Sequence, residues 1–189
     1  MNEIPLTDVE TSLYILSAFF LITWGLRFLD GLFLKDHLNK QYCIRPREHF
    51  SFFRLMMSPL LHGNRRHLFF NTLPLLLLGG LAMLSGLERF WLATAVIILV
   101  QGLGIWLFGT ANTGHVGASG LILGYFSFIL ARGFFQTNYL LIVIAIIIGL
   151  MYRHAFRLVL LRQPGISSSG HFFGFVGGIL AAWLLANLP

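Results

Sequence analysis

Four polar residues stand near the starts of long apolar runs, where a chain of this kind keeps polar groups only at a cost. They are Ser119, His171, His67 and Asn71. A serine hydroxyl becomes an effective nucleophile when a neutral imidazole takes its proton, and the imidazole can later return that proton to a leaving amine. Histidine and asparagine side chains can donate hydrogen bonds to a developing oxyanion. The four residue types together therefore indicate nucleophilic catalysis.

The serine stands in the run Gly117-Ala118-Ser119-Gly120, at the head of an apolar stretch that reaches Ala131. About 15 helical residues rise only roughly 22 Å, whereas the hydrocarbon core of a bilayer is about 30 Å thick. A helix of this length that stands on one membrane surface begins inside the bilayer. The backbone N–H of Ser119 has no acceptor within its own helix, and the helix dipole is positive there. Ser119 is therefore predicted to lie below the opposite surface, beside a donor for an oxyanion.

The composition indicates a polytopic membrane protein with one domain, residues 1–189. The chain is 57% hydrophobic and only 11% charged, which excludes an ordinary soluble domain. Lysine and arginine outnumber aspartate and glutamate by 13 to 7. The basic residues flank apolar helices, as topology determinants do, so no nucleic-acid partner is expected. Cys43 stands alone, which excludes an internal disulfide and a cysteine metal cluster. Residues 1–11 have no basic residue, so we expect them to be retained rather than cleaved as a signal peptide.

The apolar runs predict an all-α fold with six membrane spans. The spans are predicted at about residues 13–34, 67–84, 90–108, 119–131, 139–150 and 170–188. The segment from Lys35 to Arg66 is too polar to span and too apolar for a free loop, so we expect an embedded loop with short interfacial helices between spans one and two. Arg27 and Asp30, three residues apart, are expected to pair or to reach the interface. The fifth span is open to an amphipathic continuation over residues 151–161.

Connectivity brings the four polar residues to one side of the bundle. Successive spans alternate in direction, so spans two, four and six all begin on the same side. Glycines lie four residues apart on the fourth span (Gly120, Gly124) and on the sixth (Gly170, Gly174, Gly178). Such stripes of small residues let helix backbones approach closely. If the two stripes face each other, Ser119 and His171 come within hydrogen-bonding distance.

At these positions the sequence resembles the rhomboid family of intramembrane serine proteases. The matching motifs are G-x-S-G at Gly117 to Gly120, H-x4-H-x3-N at His62, His67 and Asn71, the histidine and glycines at His171, Gly174 and Gly178, and the arginine of a loop motif at Arg54. Each motif is weak alone, but the three at the starts of even-numbered spans form a strong signal. The resemblance extends from about residue 50 to residue 185.

This resemblance implies a six-helix rhomboid-like bundle in which Ser119 is the nucleophile and His171 the general base, without an aspartate. His67 and Asn71 would complete the oxyanion site with the Ser119 N–H. Supporting roles would fall to His62, Gly117, Gly120, Gly174, Gly178 and Arg54. The implied reaction is hydrolysis of peptide bonds in or near transmembrane segments of membrane proteins. No metal or organic cofactor is implied, and the implied location is the lipid bilayer of a bacterial cytoplasmic membrane.

Three residues depart from the family pattern. Leu123 stands where many bacterial members have a tyrosine under the catalytic histidine, and Tyr125 is expected on another face. Phe53 replaces the tryptophan that usually precedes the loop arginine, and Met83 replaces an acidic residue at the end of the second span. These departures concern histidine orientation and helix-end packing rather than the dyad.

Other interpretations stay open. Ser119 alone is better explained by helix capping or close packing, and His67 or Asn71 alone is better explained by an interhelical hydrogen bond. His62 could orient the loop or join the oxyanion site, while His115 fits a loop or interface residue and Ser167 to Ser169 fit loop and N-cap residues. A rhomboid-like protein that binds transmembrane helices without cutting them is the alternative function. A membrane protein that carries haem or protons on His67 and His171 is a further one.

Orientation and gating are the last expectations. The family usually opens its site toward the outer face, and we adopt that orientation. It leaves Arg89 and Arg132 inside and ten basic residues outside, against the positive-inside rule. Some of these residues are therefore expected in structured, embedded segments. The loop from Arg153 to Ser169 and the fifth span are expected to form a mobile cover over the serine.

Overall fold

Helices build the part of the chain that the structure, a computed structural model, describes: residues 6–153 and 167–187. In chain order they are α1 (Leu6–Leu32), α2 (His37–Tyr42), α3 (Phe52–Met57), α4 (Arg65–Met83), α5 (Leu87–Phe108), α6 (Ser119–Phe135), α7 (Tyr139–Met151) and α8 (Ser168–Ala186). Four of them, α1, α4, α5 and α8, are long and apolar enough to cross a membrane, and α6 and α7 are shorter apolar helices. The predicted all-α class is confirmed.

Large apolar side chains cover the outside of these helices. Leu13, Phe69, Leu140 and Trp183 are all more than half exposed. A soluble protein rarely leaves so many large apolar groups in contact with water. The surface is therefore suited to lipid, as the hydrophobic composition predicts.

Helix α6 occupies the centre of the bundle. It packs against α4, α5, α7 and α8. Its buried residues come from every face, and Leu121, Tyr125 and Phe128 are at most 2% exposed. A helix that is apolar all round is stable only when other helices or lipid surround it. The first residue of this central helix, Ser119, is held in place by all of these contacts.

The two glycine stripes face each other between α6 and α8. A Cβ atom on Gly174 would meet the backbone oxygen of Gly120, and one on Gly178 would meet that of Gly124. The backbone oxygen of Gly170 in turn lies 2.6 Å from where a Cβ on Gly120 would be. The backbones of the two helices are thus in direct contact, as the spacing of the glycines predicts.

Helix boundaries follow the predictions within a few residues, with two larger differences. Helix α1 begins at Leu6 instead of residue 13. Helix α6 continues to Phe135 instead of ending at residue 131. Arg132 is favourable in its last turn, and Gly133 packs against Ile142 of α7. At 17 residues, α6 rises about 25 Å and is still shorter than the hydrocarbon core.

The predicted Arg27–Asp30 pair is wrong. Arg27 Nη1 instead contacts Asp36 Oδ1 at 2.6 Å. The Asp30 carboxylate is 1% exposed and accepts hydrogen bonds from the backbone N–H groups of Leu38 (2.7 Å) and Asn39 (3.1 Å) at the start of α2. Asp30 is committed to these two donors, so the arginine pairs with the acidic residue in the following turn.

The segment between α1 and α4 contains two short helices, α2 and α3, as predicted. Ile44, between them, forms an antiparallel bridge with His115 of the loop before α6. The predicted continuation over residues 151–161 and the predicted cover from Arg153 to Ser169 lie largely outside the described residues.

Candidate active site

Ser119 and His171 are joined by a hydrogen bond. His171 Nε2 lies 2.7 Å from Ser119 Oγ, and the histidine is 7% exposed. For the imidazole to accept the serine proton, Nε2 must be bare and the ring proton must lie on Nδ1. His171 Nδ1 has no hydrogen-bond partner among the described residues, so no carboxylate of that part of the chain orients the ring. Within the described residues, the arrangement is a serine–histidine pair without a third acidic member.

The starts of α6 and α8 bring the pair together. Ser167 is the N-cap of α8, and its hydroxyl accepts a hydrogen bond from the Gly170 N–H at 3.0 Å. This cap starts the helix so that His171 lies in its first turn. The prediction of an N-cap among Ser167 to Ser169 is confirmed. Because Ser119 is the first residue of α6, both candidate side chains lie at the N-terminal ends of two helices in backbone contact.

The loop before Ser119 is held by the segment between α1 and α4. Gly117 has a φ of +120°, a conformation that favours glycine. Its N–H donates to the Ser58 carbonyl at 2.8 Å, and the N–H of Ala118 donates to His62 Nε2 at 3.4 Å. His62 is 1% exposed, and burial together with the nearby His67 lowers its pKa to about 3. The imidazole is therefore neutral and can accept this hydrogen bond at ordinary pH.

His67 and Asn71 lie one turn apart on α4. The ring of His67 packs against Gly117, where a Cβ atom would lie 2.6 Å from His67 Cε1. Asn71 is 7% exposed, and its Nδ2 has no hydrogen-bond partner among the described residues. Buried polar atoms are rarely left unpaired. Within the described part of the chain, Asn71 Nδ2 is thus a donor without a partner, one helical turn after His67.

Residues 49–188 match the Rhomboid domain. The chain belongs to the Rhomboid family. It is 42% identical over 151 residues to an uncharacterised protein of Mycobacterium tuberculosis, and the match covers 76% of this chain and 63% of that protein. It is 39% identical over 144 residues to an uncharacterised protein of Mycobacterium leprae, with 70% and 55% covered. A Bacillus subtilis protein that is provisionally named a rhomboid protease is 28% identical over 141 residues, with 69% and 66% covered.

This rhomboid chain spans about 63% of the length of the first mycobacterial relatives that it matches. The relatives are bacterial, and several helices of the chain are long and apolar enough to cross a membrane. The findings therefore indicate a bacterial membrane protein of a family that includes serine proteases.

Tyr125 and Leu123 do not support His171 in the way the tyrosine of other rhomboids does. The Tyr125 hydroxyl lies 2.8 Å from Thr94 Oγ1, and its ring stacks on Phe90 at 5.6 Å between centroids. Both partners belong to α5. Tyr125 is therefore on another face of α6, as expected, and Leu123 is a buried apolar residue.

Arg54 and Phe53 lie on α3 of the rhomboid chain. The sequence analysis predicts that this part of the loop is embedded, with Arg54 as a supporting residue. Among the described residues, no carbonyl or carboxylate accepts a hydrogen bond from the Arg54 guanidinium. Phe53, in place of the usual tryptophan, packs edge to face on Tyr42 with 5.3 Å between ring centroids.

Two polar residues near the site were missed by the sequence analysis. Gln101 of α5 is 3% exposed and packs against Gly120, next to Ser119. The sequence signal that could have identified Gln101 is a side-chain amide within a largely apolar run. The sequence analysis predicts only a loop or interface role for His115, yet its Nδ1 lies 2.7 Å from Ser167 Oγ at the start of α8. That contact depends on the tertiary structure and has no signal in the spacing of the sequence.

Proposed function

We propose that this rhomboid chain is an intramembrane serine protease, with Ser119 as nucleophile and His171 as general base. The observation that carries the proposal is the 2.7 Å hydrogen bond between His171 Nε2 and Ser119 Oγ. A hydroxyl and a buried imidazole at this distance form the activated nucleophile of serine hydrolases. Membership of a family that includes serine proteases supports the same conclusion.

The reaction begins when Ser119 Oγ attacks the carbonyl carbon of the scissile peptide bond and His171 Nε2 takes the hydroxyl proton. The oxyanion of the tetrahedral intermediate accepts hydrogen bonds from the Ser119 N–H, His67 and Asn71. Each such donor typically stabilises the transition state by about 2.7–4 kcal/mol. His171 then gives its proton to the leaving amine, the C–N bond breaks and an acyl-enzyme ester remains.

A water molecule completes the reaction. His171 takes one proton from the water while its oxygen attacks the ester carbonyl. The second tetrahedral intermediate collapses with cleavage of the ester bond, and His171 returns the proton to Ser119 Oγ. The products are a carboxylic acid, an amine and the regenerated serine. Every proton in this sequence moves through one imidazole, and no carboxylate of the described chain contacts His171 Nδ1.

We propose a single membrane domain, residues 1–189, with six spans, in which the shorter helices α6 and α7 cross the bilayer with the four long ones. The segment with α2 and α3 is then the embedded loop. Proteins with transmembrane segments are the proposed substrates, and the bacterial cytoplasmic membrane is the proposed location. The roughly 25 Å rise of α6 supports a serine below the membrane surface.

Labelling with a fluorophosphonate probe tests the proposal. The detergent-solubilised wild type is expected to label, and Ser119→Ala and His171→Ala are expected to lose labelling while they stay folded. Cleavage of a reconstituted transmembrane substrate should be lost in the same two variants. A folded wild type that does not label would contradict the dyad, and the non-catalytic binding of transmembrane helices would then be the better reading.

A further inference from the structure

His115 connects three segments of the chain around the candidate active site. Its backbone pairs with Ile44 through two hydrogen bonds, at 2.9 Å from the His115 N–H and 3.1 Å to the His115 carbonyl. Its ring lies between Thr113 Oγ1, 2.8 Å from Nε2, and Ser167 Oγ, 2.7 Å from Nδ1. The loop before Ser119, the segment after α2 and the N-cap of α8 thus meet at one histidine.

The other hydrogen bonds fix the direction of each of these contacts. Thr113 Oγ1 donates its proton to the Thr110 carbonyl at 2.6 Å, so it must accept from His115 Nε2–H. The second ring nitrogen, Nδ1, is then bare and accepts the proton of the Ser167 hydroxyl. The Ser167 oxygen in turn accepts from the Gly170 N–H. Burial lowers the pKa of His115, which favours the neutral ring that this chain of bonds requires.

The His115–Ser167 bond joins the same two segments of the chain as the bond between the dyad residues. His115 lies four residues before Ser119, and Ser167 lies four residues before His171. Both pairs are 52 residues apart in sequence and both hydrogen bonds measure 2.7 Å. The same two segments are therefore joined twice, once through the dyad and once through the residues four positions earlier.

We propose that His115 is a positioning residue for the dyad, which holds the N-cap of α8 against the loop before α6 so that His171 Nε2 stays within reach of Ser119 Oγ. The inference rests on the proposed function. His115 touches no reacting group in this role. Its contribution is to the distance between nucleophile and base, a quantity on which proton transfer depends directly.

The test separates positioning from folding by two pairs of variants. His115→Phe keeps a ring and removes both side-chain hydrogen bonds, whereas His115→Asn puts an amide oxygen near the position of Nδ1. Ser167→Gly removes the hydroxyl and leaves a residue that is tolerated at N-caps, whereas Ser167→Thr keeps both cap and hydroxyl. His49→Phe, at an exposed histidine, is the matched control. The thermal unfolding temperature is recorded for each variant.

The readout is the kinetics of fluorophosphonate labelling, resolved into the maximal rate kinact and the half-saturating concentration KI. We expect His115→Phe and Ser167→Gly each to lower kinact about tenfold, the factor that corresponds to one lost hydrogen bond, with KI little changed. The double variant should be no slower than either single one. His115→Asn and Ser167→Thr should recover most of the rate.

Three results would overturn the inference. One is a wild-type kinact in folded His115→Phe or Ser167→Gly. The second is independent, multiplicative effects of the two substitutions. The third is a loss of kinact in His115→Phe that follows the unfolding temperature and is not recovered by His115→Asn, which would assign the residue to folding alone. If the wild type does not label, the proposed function fails first, and the positioning role fails with it.

Discussion

At the scale of single residues, His62 is a buried base next to the loop that carries Ser119. Its pKa of about 3 lies far below the ordinary value of 6.5, because burial disfavours the charged ring and His67 adds repulsion. Between these two pH values the unfolded chain binds a proton at this position that the folded chain does not bind. Folding stability therefore decreases as the pH falls from about 6.5 toward 3.

The variant His62→Gln is expected to weaken this pH dependence. The glutamine oxygen can accept the hydrogen bond of the Ala118 N–H, and the amide does not titrate. One proton accounts for a slope of at most about 1.4 kcal/mol per pH unit in the free energy of unfolding. Unfolding measured in detergent from pH 7 to pH 4 should show the wild-type slope reduced in this variant. His49→Gln, at an exposed site, is the control, and an unchanged slope in His62→Gln would refute the assignment.

Gly117 is expected to tolerate no side chain. Its φ of +120° strains any other residue, and a Cβ atom would lie 2.6 Å from His67 Cε1. Gly117→Ala should lower stability by about 1–3 kcal/mol and reduce probe labelling, because either the loop before Ser119 or the His67 ring must move. Gly63→Ala, where nothing lies within 4 Å of the added atom, should leave both properties unchanged. Equal behaviour of the two variants would contradict this account.

The sequence alone was sufficient to select Ser119, His171, His67 and Asn71, because polar groups in apolar runs need a reason to be there. It was not sufficient for His115 or Gln101. Their places near the candidate site come from contacts with residues that are distant in sequence, Ser167 for His115 and Gly120 for Gln101. Such pairs become visible only when the helices are packed.

At the scale of secondary-structure elements, the contact between α6 and α8 depends on glycine. Gly174→Ala would place a methyl group against the backbone oxygen of Gly120, which cannot move as a flexible side chain can. We expect a loss of about 1–3 kcal/mol or more in stability and a loss of labelling, since the helices that carry the dyad would separate. Gly80→Ala on α4, whose added atom meets only Leu16 Cδ1 at 3.6 Å, is the matched control.

The control variant Gly80→Ala is expected to be neutral or slightly stabilising, because alanine has a higher helix propensity than glycine. An unfolding temperature for Gly174→Ala equal to that of the wild type would show that the stripes are not in close contact.

The stripes themselves were predictable from their four-residue spacing. The end of α6 at Phe135 was not predictable from the sequence. An arginine such as Arg132 can follow the end of a span, or it can lie within the last turn of the helix, where its charge is favourable.

At the scale of the whole molecule, several basic residues are bound within the structure. Arg47 Nη2 donates to the Gly109 carbonyl at 3.1 Å, and Arg45 Nη2 donates to the Lys40 carbonyl at 3.1 Å. Arg27 pairs with Asp36. Such contacts fit the expectation that some of the basic residues lie in structured segments, which the outer-face orientation requires.

Cysteine accessibility tests the orientation. Cys43, the single cysteine, is buried and is first replaced by serine. In that background we expect Lys40→Cys, an exposed site, to react with a membrane-impermeant maleimide on intact cells. Arg89→Cys, an exposed site in the first turn of α5 beyond the other end of α4, should react only after permeabilisation. The reverse pattern would place the candidate active site toward the cytoplasm.

The general arrangement of the bundle follows from the sequence, because alternating spans leave few choices for the ends of α4, α6 and α8. The segment between α1 and α4 was not predictable in the same detail. Its form depends on contacts such as the Ile44–His115 bridge and the capping of α2 by Asp30. Both contacts depend on the folded conformation of the segment, which no periodic pattern in the sequence predicts.

The backbone contact between α6 and α8 also has a thermodynamic consequence. A glycine has no rotamers, so the residues that form this contact lose no side-chain conformational entropy when the helices associate. Helices in a membrane are already formed before they pack, and the flexibility that glycine gives an unfolded chain is by then largely removed. The glycine contact that brings Ser119 to His171 therefore forms without a cost in side-chain conformational entropy.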